Sequence, residues 1–206
     1  MIRPPGMDGV AFSERADGDL KSDHRARAAF SSELGISTSW GVTHQVHGAD
    51  VVTVDQPGEA GDADAIWTTT RGLPVAVFTA DCFGVVLQGD GAVGVAHAGW
   101  RGAGSGVVTK VRSLMTHAGH PPQRAAIGPG IGSCCFEVGP DVESRFEGHV
   151  TETSWGTSSV DLAGVLQSQL EGLDVWSVGG CTMHESRWFS HRDDATPERM
   201  AAVGWL

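Results

Sequence analysis

Two apolar segments joined by a short glycine-containing turn constrain the fold of this chain most strongly. Residues 83–87 and 92–96 are rich in valine and other apolar residues, and Gly89, Asp90 and Gly91 lie between them. Short apolar segments on either side of an Asp-Gly or Gly-Asp pair are typical of a β-hairpin closed by a tight turn. The absence of polar alternation indicates that both strands are buried. We therefore predict a buried hairpin over this region.

The register of this hairpin decides which side chains meet. If Asp90-Gly91 forms the turn, Gly84 lies opposite His97, and Cys82 is one diagonal step away. If Gly89-Asp90 forms the turn, Cys82 lies directly opposite His97. Side-chain direction alternates along a strand, so both registers place the thiol and the imidazole on one face of the hairpin. A three-residue turn would separate the two side chains.

A cysteine beside a histidine supports more than one chemistry. Cys82 and His97 could act as nucleophile and base, or as two ligands of a metal ion whose third ligand comes from elsewhere. His44 and His47 are candidates for that third ligand, and in a strand they would point to opposite faces. One thiolate and two imidazoles leave the fourth position of a tetrahedral zinc site open, as in catalytic zinc sites. A purely structural alternative is that Cys82 is a small buried residue.

Composition excludes several classes of partner and compartment. Against 14 Lys and Arg stand 25 Asp and Glu, and the formal charge of -11 disfavours binding to nucleic acid or to an anionic membrane. The N-terminal segment is interrupted by Pro and Gly, and no 18-residue apolar stretch occurs, so we expect neither a signal peptide nor a membrane span. Four cysteines are too few for a disulfide scaffold. We expect a cytoplasmic protein with free thiols.

The pattern of elements predicts one mixed α/β (α+β) domain over residues 1–206. A helix is expected over Ala26–Leu34 with Gly35 as its C-cap. Two strands with a tight connection are expected around Gly48, followed by an acidic loop at 56–64. Residues 137–171 have a largely helical pattern with interruptions.

Several motifs, in chain order, resemble those of one protein family. They are QVHGAD (45–50), DADAIWT (62–68), FTADC (78–82), HAGWRG (97–102), IGPGIGSCCFEVG (127–139) and the C-terminal FSHRDD. Together they resemble the YfiH or peptidoglycan editing factor family. That family was formerly labelled multicopper polyphenol oxidase or laccase domain, and is now described as purine nucleoside phosphorylase with adenosine deaminase activity. The segment TADC followed fifteen residues later by HAGWRG is the most specific part of the resemblance.

The resemblance implies a fold, a metal and a reaction. The fold is a β-sandwich-like core flanked by helices, of the YfiH type. The implied zinc ligands are His47, Cys82 and His97, which selects His47 over His44; copper is a possible alternative metal. The implied substrates are purine nucleosides (adenosine, inosine, guanosine, methylthioadenosine) and phosphate, with deamination of adenosine as a second activity. A zinc ion with an open position suits deamination because it activates water.

Further site residues are predicted from their chemistry and their position in these motifs. Phosphorolysis requires an anion site, for which Arg101, Arg192 and the amides of the glycine-rich loop 99–106 are candidates. Besides Cys82 and His97, we expect Asp81 to orient a ligand or assist proton transfer and Arg101 to act in catalysis. Gln45 is expected to hydrogen-bond near the site. The chain could be a monomer or a homodimer.

Three other functions are compatible with the sequence. A copper-dependent polyphenol oxidase could use a His2Cys site, although the His-X-His pairs of multicopper enzymes do not occur in the sequence. A Cys-His hydrolase acting on a peptidoglycan precursor would use Cys82 and His97 without needing His47. A zinc-stabilised binding protein would need no open coordination position. Ala26 and His191 stand where the family usually has Asn and Tyr, so substrate preference could differ from that of relatives.

Overall fold

Two mixed β-sheets, stacked face to face, form the centre of the molecule in the computed structural model, which describes residues 1–206. The five strands of the first sheet are, in chain order, β1 (Val10–Phe12), β2 (Gly41–His44), β4 (Gly58–Asp62), β6 (Val75–Thr79) and β13 (Met200–Gly204). Their order in the sheet is β1-β13-β6-β2-β4. Strands β13 and β6 pair antiparallel, whereas β2 pairs parallel with both β6 and β4.

The second sheet has six strands in the order β12-β9-β7-β8-β5-β3. Its centre is antiparallel, and the strand pairs at its two edges are parallel. The strands are β3 (Val51–Thr53), β5 (Ala65–Thr68), β7 (Phe83–Gly89), β8 (Ala92–Ala98), β9 (Pro122–Ile127) and β12 (Asp174–Ser177). A separate two-stranded sheet consists of β10 (Val150–Glu152) and β11 (Ser158–Val160).

The predicted hairpin is confirmed as β7 and β8. Gly84 lies opposite His97 and Gly89 lies opposite Ala92, which is the register closed by Asp90-Gly91. Gly91 has a φ of 66°, in the left-handed region that glycine adopts readily. Because the hairpin occupies the middle of the six-stranded sheet, its end carries Cys82 and His97 into the interior of the molecule.

Apolar side chains fill the space between the two sheets. Each fully buried Val, Ile or Phe side chain in such a core contributes about 1.5–3 kcal/mol through removal from water. The core residues from both sheets are Val10, Phe12, Ile66, Val75, Val77, Val86, Val93, Val95, Ala126 and Ala202. This confirms the predicted β-sandwich-like core.

Helices cover the outer faces of both sheets. The helices are α1 (His24–Leu34), α2 (Trp100–Gly104), α3 (Val107–His117), α4 (Pro140–Glu143), α5 (Leu162–Gln169) and α6 (His191–Asp194). Helix α1 packs Phe30 against the five-stranded sheet, while α3 packs Val111 and Met115 against the six-stranded sheet. The predicted first helix is confirmed; it begins two residues earlier than expected because Asp23 accepts hydrogen bonds from the Arg25 and Ala26 amides.

Two strands flank Gly48 as expected, but residues 45–50 connect them and they belong to different sheets instead of pairing. Two other expectations about local structure are wrong. The expected acidic loop at 56–64 contains β4, an exposed strand that forms because β2 offers it a parallel partner. Within 137–171, helices α4 and α5 are separated by the β10–β11 hairpin, where the helical pattern predicted no strands.

Candidate metal centre and substrate cleft

Three side chains from separate parts of the chain converge at one end of the β7–β8 hairpin. One ligand atom each from His47, Cys82 and His97 lies within 4.8 Å of the other two. The two imidazole rings are 4.9 Å apart between centroids and stand at 78° to each other. His97 belongs to β8, Cys82 directly precedes β7, and His47 lies in the loop after β2. His44 lies elsewhere, at the exposed end of β2, 2.8 Å from the Asp62 carboxylate.

A buried carboxylate, Asp64, organises two of these three residues. Its oxygens accept hydrogen bonds from the backbone amides of Val46, His47 and Gly48. They also accept one from Nδ1 of His97, at 2.8 Å. The side chain of Asp64 is fully buried. Since Nδ1 of His97 donates to a carboxylate, Nε2 is the nitrogen free to bind a metal, as in many metal sites.

Two residues at the site have a backbone conformation that residues other than glycine rarely adopt. His47 has a φ of 60° and Asp81 has a φ of 81°, both in the left-handed region. Each such residue costs about 1–3 kcal/mol and persists where surrounding contacts impose it. At His47 the contact is the Asp64 carboxylate, which binds three consecutive amides of the turn. The turn therefore directs the imidazole of His47 toward the hairpin.

Cys82 and His97 shift each other's pKa in opposite directions. Burial alone would raise the pKa of the Cys82 thiol, but hydrogen bonds from His47 and His97 outweigh it and lower the pKa to about 6. Burial alone would lower the pKa of His97, but its contacts with Asp64 and Cys82 raise the pKa to about 9. Burial alone would raise the pKa of Asp64, but hydrogen bonds, the one from His97 being the largest, lower it below its ordinary value. Between about pH 6 and pH 9 these shifts favour a thiolate beside an imidazolium in the metal-free site.

Gly99 allows the chain to pass close to Cys82. A Cβ atom at this position would lie 2.8 Å from the Cys82 sulfur and 3.5 Å from a carbon of the His47 ring. Any larger residue would therefore displace the thiol. Gly99 also caps the N-terminus of α2, so its small size keeps the start of that helix against the candidate metal ligands.

The donor set and its surroundings fit a divalent metal ion. A thiolate and two imidazoles suit zinc, and also copper. Three protein ligands leave one tetrahedral position for water or a substrate. The ligand atoms lie close enough to share one ion, and Asp64 supplies the hydrogen-bonded support typical of a metal-bound histidine.

The three residues line a cleft of about 330 Å³. Apart from the triad, the lining is mainly basic and aromatic, with Asp81 as the only carboxylate. The basic residues are Lys21, Arg101, Arg192 and Arg199, and the aromatic residues are Phe78, Trp100 and Phe136. Four basic side chains thus surround one cleft in a chain of formal charge -11, which concentrates positive charge there.

Arg101 and Arg192, predicted to bind phosphate, both line this cleft. The guanidinium of Arg101 lies over the Trp100 ring, 4.3 Å from its centroid, and it is exposed. The guanidinium of Arg192 donates to the Glu137 carbonyl at 3.2 Å and lies 5.6 Å from the Phe136 ring. Both retain N–H groups that can bind an anion.

Asp81 and Gln45 also line the cleft, but their polar groups bond to the protein. The carboxylate of Asp81 accepts from the Thr182 hydroxyl at 2.7 Å and from the Arg192 amide at 2.6 Å. The side-chain amide of Gln45 donates to the Phe78 carbonyl and accepts from the Phe78 amide, each at 2.8 Å. These contacts give both residues a role in positioning the walls of the cleft.

Sequence reasoning missed several residues of the site. Asp64 lies within the DADAIWT motif, so the motif marked the region without indicating a carboxylate that bonds His97. Lys21 and Arg199 are distant in sequence from all three predicted metal ligands, and the fold brings them to the cleft.

No helix of the protein has the length and apolar character needed to cross a membrane.

Comparison with known proteins identifies similar sequences over nearly the whole chain. The family described as multi-copper polyphenol oxidoreductase laccase matches residues 8–206. A Streptomyces griseus protein named purine nucleoside phosphorylase ORF3 is 39% identical over 222 residues, covering 98% of this chain and 90% of that protein. A Deinococcus radiodurans protein named purine nucleoside phosphorylase is 34% identical over 210 residues, covering 95% of this chain and 82% of that protein.

Solved structures share the fold. YlmD from Geobacillus stearothermophilus superimposes with a TM-score of 0.86 at 26% identity, covering 98% of this chain and 94% of its own. The Bacillus licheniformis protein YfiH has the same TM-score at 22% identity, with coverage of 96% and 92%. These matches agree with the mixed α/β architecture of two sheets and flanking helices. The chain therefore belongs to the multi-copper polyphenol oxidoreductase laccase family, the YfiH family that its motifs resemble.

Proposed function

We propose that this protein is a zinc-dependent purine nucleoside phosphorylase that also deaminates adenosine. One observation carries the proposal: a two-histidine, one-cysteine cluster lies in a cleft lined with basic and aromatic side chains. The relatives named purine nucleoside phosphorylase support this assignment. Both proposed substrates, a nucleoside and phosphate, match the chemistry of the cleft lining.

The ligands in this proposal are His47, Cys82 and His97. A zinc ion held by them supplies Lewis-acid chemistry, including activation of water. The contribution of the protein is to fix the ligands, through the Asp64 hydrogen bonds and through the close packing of Gly99 against Cys82. Copper would fit the same donors, and the metal content of the purified protein distinguishes the two.

Arg101 and Arg192 are the proposed phosphate ligands. Guanidinium groups bind phosphate oxygens through paired, charge-assisted hydrogen bonds. Lys21 and Arg199 add positive charge to the same cleft, which offsets the repulsion that an acidic protein exerts on an anion. Asp81 acts as a positioning residue, because its carboxylate holds the Arg192 backbone.

The aromatic side chains are proposed to bind the purine. Phe78, Trp100 and Phe136 offer flat apolar surfaces against which a base can stack. In phosphorolysis, a phosphate oxygen bonds to C1′ of the ribose as the bond from C1′ to the purine nitrogen breaks. The purine leaves with a proton and ribose 1-phosphate forms. In deamination, water adds at C6 of adenosine and ammonia leaves.

The direct test is turnover of adenosine and inosine by purified, metal-quantified protein, with and without phosphate. We expect inosine to yield hypoxanthine and ribose 1-phosphate only when phosphate is present, and adenosine to yield both adenine and inosine. Product separation by chromatography measures each reaction. Absence of phosphate-dependent products from the zinc-loaded protein would refute the phosphorylase assignment, and oxidation of a phenolic dye with stoichiometric copper would favour the oxidase.

Replacement of one ligand tests whether nucleoside turnover depends on the metal. His47→Ala should lose zinc and nucleoside turnover together. His44→Ala is a matched control, because His44 is three residues away, is exposed and contacts Asp62 rather than the triad. A His47→Ala protein that turns over nucleosides at the wild-type rate without zinc would contradict the proposal.

A specific observation favours one second candidate. Cys82, His97 and Asp64 form a thiolate, imidazole and carboxylate series, which is the arrangement of a cysteine hydrolase. Such an enzyme could act on a peptidoglycan precursor. Hydrolysis of such a precursor that survives His47→Ala and chelation but disappears in Cys82→Ala would favour this candidate.

A further inference from the structure

A second cluster of metal-binding side chains lies outside the cleft. Cys134, Cys135, Cys181 and His184 each place one ligand atom within 4.8 Å of the other three. None of the four lines the cleft around His47. The sequence gives no sign of this cluster, because Cys181 and His184 are far from the Cys134-Cys135 pair along the chain.

We propose that these four residues form a second, structural zinc site. Three cysteines and one histidine are a common ligand set of structural zinc, which is closed to water and substrates. The proposal is independent of the nucleoside activity proposed above, because it concerns different residues and a site without an open position.

The spacing of the donor atoms agrees with a tetrahedral ion. Bonds of about 2.3 Å to sulfur and about 2.0–2.1 Å to nitrogen place two sulfurs about 3.8 Å apart and a sulfur and a nitrogen about 3.6 Å apart. The Cys134 and Cys135 sulfurs are 3.7 Å apart, and the Cys134 sulfur is 3.7 Å from Nδ1 of His184. The remaining pairs of donor atoms all lie within 4.8 Å of one another.

The backbone presents the donors from two tight turns. The amides of Cys135 and Phe136 both donate to the Gly132 carbonyl, which folds the first pair of thiols back on the loop after β9. In the second turn the His184 amide donates to the Cys181 carbonyl, so two ligands three residues apart lie on one side.

The two turns are also joined to each other. The Gly132 amide donates to the Cys181 sulfur at 3.2 Å, and the Thr182 amide donates to the Gly130 carbonyl at 3.0 Å. These two hydrogen bonds hold the Cys181 sulfur next to the turn that carries Cys134 and Cys135. Cys135 and Cys181 are buried, whereas His184 is exposed, so an ion could enter from the side of the imidazole.

A zinc ion here would fasten one wall of the cleft. The Thr182 hydroxyl donates to Asp81, and the Ile131 amide donates to the Asp81 carbonyl at 2.8 Å. Asp81 directly precedes Cys82. The second zinc site would thus hold together the segments around Ile131 and Thr182, which fix the backbone next to Cys82.

Metal content tests the proposal directly. The full-length protein, expressed with zinc and purified under reducing conditions without chelators, should contain two zinc ions per chain. His47→Ala and Cys181→Ser should each contain one, and the double variant should contain none. The proposal would be overturned if Cys181→Ser still contained two zinc ions per chain. It would also be overturned if the wild-type protein contained a single zinc ion that only His47→Ala removed.

An exposed ligand provides a variant that need not disturb the core. His184→Ala should lose its second zinc ion to a chelator concentration at which wild type retains both, while the exposed His24→Ala serves as the matched control. Cobalt substitution gives an independent readout, since thiolate-to-cobalt charge-transfer absorption should fall more strongly in Cys181→Ser than in Cys82→Ser. Equal chelator sensitivity of His184→Ala and wild type would refute the site. A disulfide among these cysteines, seen as a mass lower by two hydrogen atoms, would also refute it if the reduced protein still bound no second zinc ion.

Discussion

Asp64 offers the sharpest test of how the His47, Cys82 and His97 site is held, because the chain also has an aspartate-histidine pair at its surface that serves as a control. Both Asp64 and Asp62 contact a histidine Nδ1 at 2.8 Å, but the pair of Asp64 with His97 is buried, with side-chain exposures of 0% and 4%. The pair of Asp62 with His44 is exposed, at 73% and 63%. Asp64→Asn and Asp62→Asn therefore make the same chemical change in opposite environments.

The expected effect of Asp64→Asn follows from its hydrogen bonds. Four donors, three backbone amides and one imidazole, share the two carboxylate oxygens. The amide of asparagine has one acceptor oxygen, so two donors lose their partner. Hydrogen bonds to a charged group contribute about 1.5–3 kcal/mol each, and breaking a buried charge pair costs about 3–5 kcal/mol. We expect a loss of about 3–5 kcal/mol in unfolding free energy, and a roughly 10–100-fold loss in metal affinity.

Urea denaturation of the metal-free proteins measures the first quantity, and competition with a chromophoric chelator measures the second. Asp62→Asn should lose no more than about 1 kcal/mol, as exposed ion pairs do, and should bind zinc like wild type. If both variants lose the same stability, or if Asp64→Asn retains wild-type zinc affinity, Asp64 does not organise the metal ligands.

Three further outcomes follow from the site geometry. Gly99→Ala should weaken zinc binding by about tenfold or more, since the added Cβ would lie 2.8 Å from the Cys82 sulfur. Chelator competition measures this affinity, and an unchanged value would contradict the close approach. Arg101→Ala should raise the KM for phosphate roughly 10-fold or more, with a smaller change in the KM for the nucleoside, and equal changes in steady-state kinetics would argue against a phosphate contact. In metal-free protein, alkylation of Cys82 should reach half its maximal rate near pH 6, because the lowered pKa favours the thiolate above that pH, and zinc should protect it. His97→Ala should move this midpoint upward, toward the ordinary thiol value of about 8.5, and an unmoved midpoint by mass spectrometry would show that His97 does not set it.

The sequence predicts those parts of the fold that depend on neighbouring residues. The β7–β8 hairpin follows from two apolar segments and a turn dipeptide, and helix α1 follows from its apolar spacing and its Gly35 cap. Because the hairpin register is set by the turn, the meeting of Cys82 and His97 could be predicted from local information as well. The motifs then indicated His47 where strand alternation alone left His44 open.

The remaining features depend on contacts between distant segments. Strand β4 is glycine-rich and exposed, so its own residues give no strand signal and only pairing with β2 makes it a strand. Strands β2 and β3 belong to different sheets, and the turn between them is bound by Asp64, which no local pattern connects to residues 46–48. The second cysteine cluster likewise forms only when the segment after β12 folds against the loop after β9.

The left-handed backbone at His47 and Asp81 bears on the order in which the protein is built and loaded with metal. Both conformations are held by hydrogen bonds of the protein to itself, through Asp64 at one residue and through Thr182 and the Arg192 amide at the other. Folding therefore supplies the free energy that sets the ligands in place before any ion arrives. We expect a folded metal-free protein that acquires zinc in a simple bimolecular step, at a rate proportional to metal concentration. Repeated stripping and reloading at this site should then proceed without a slow refolding phase.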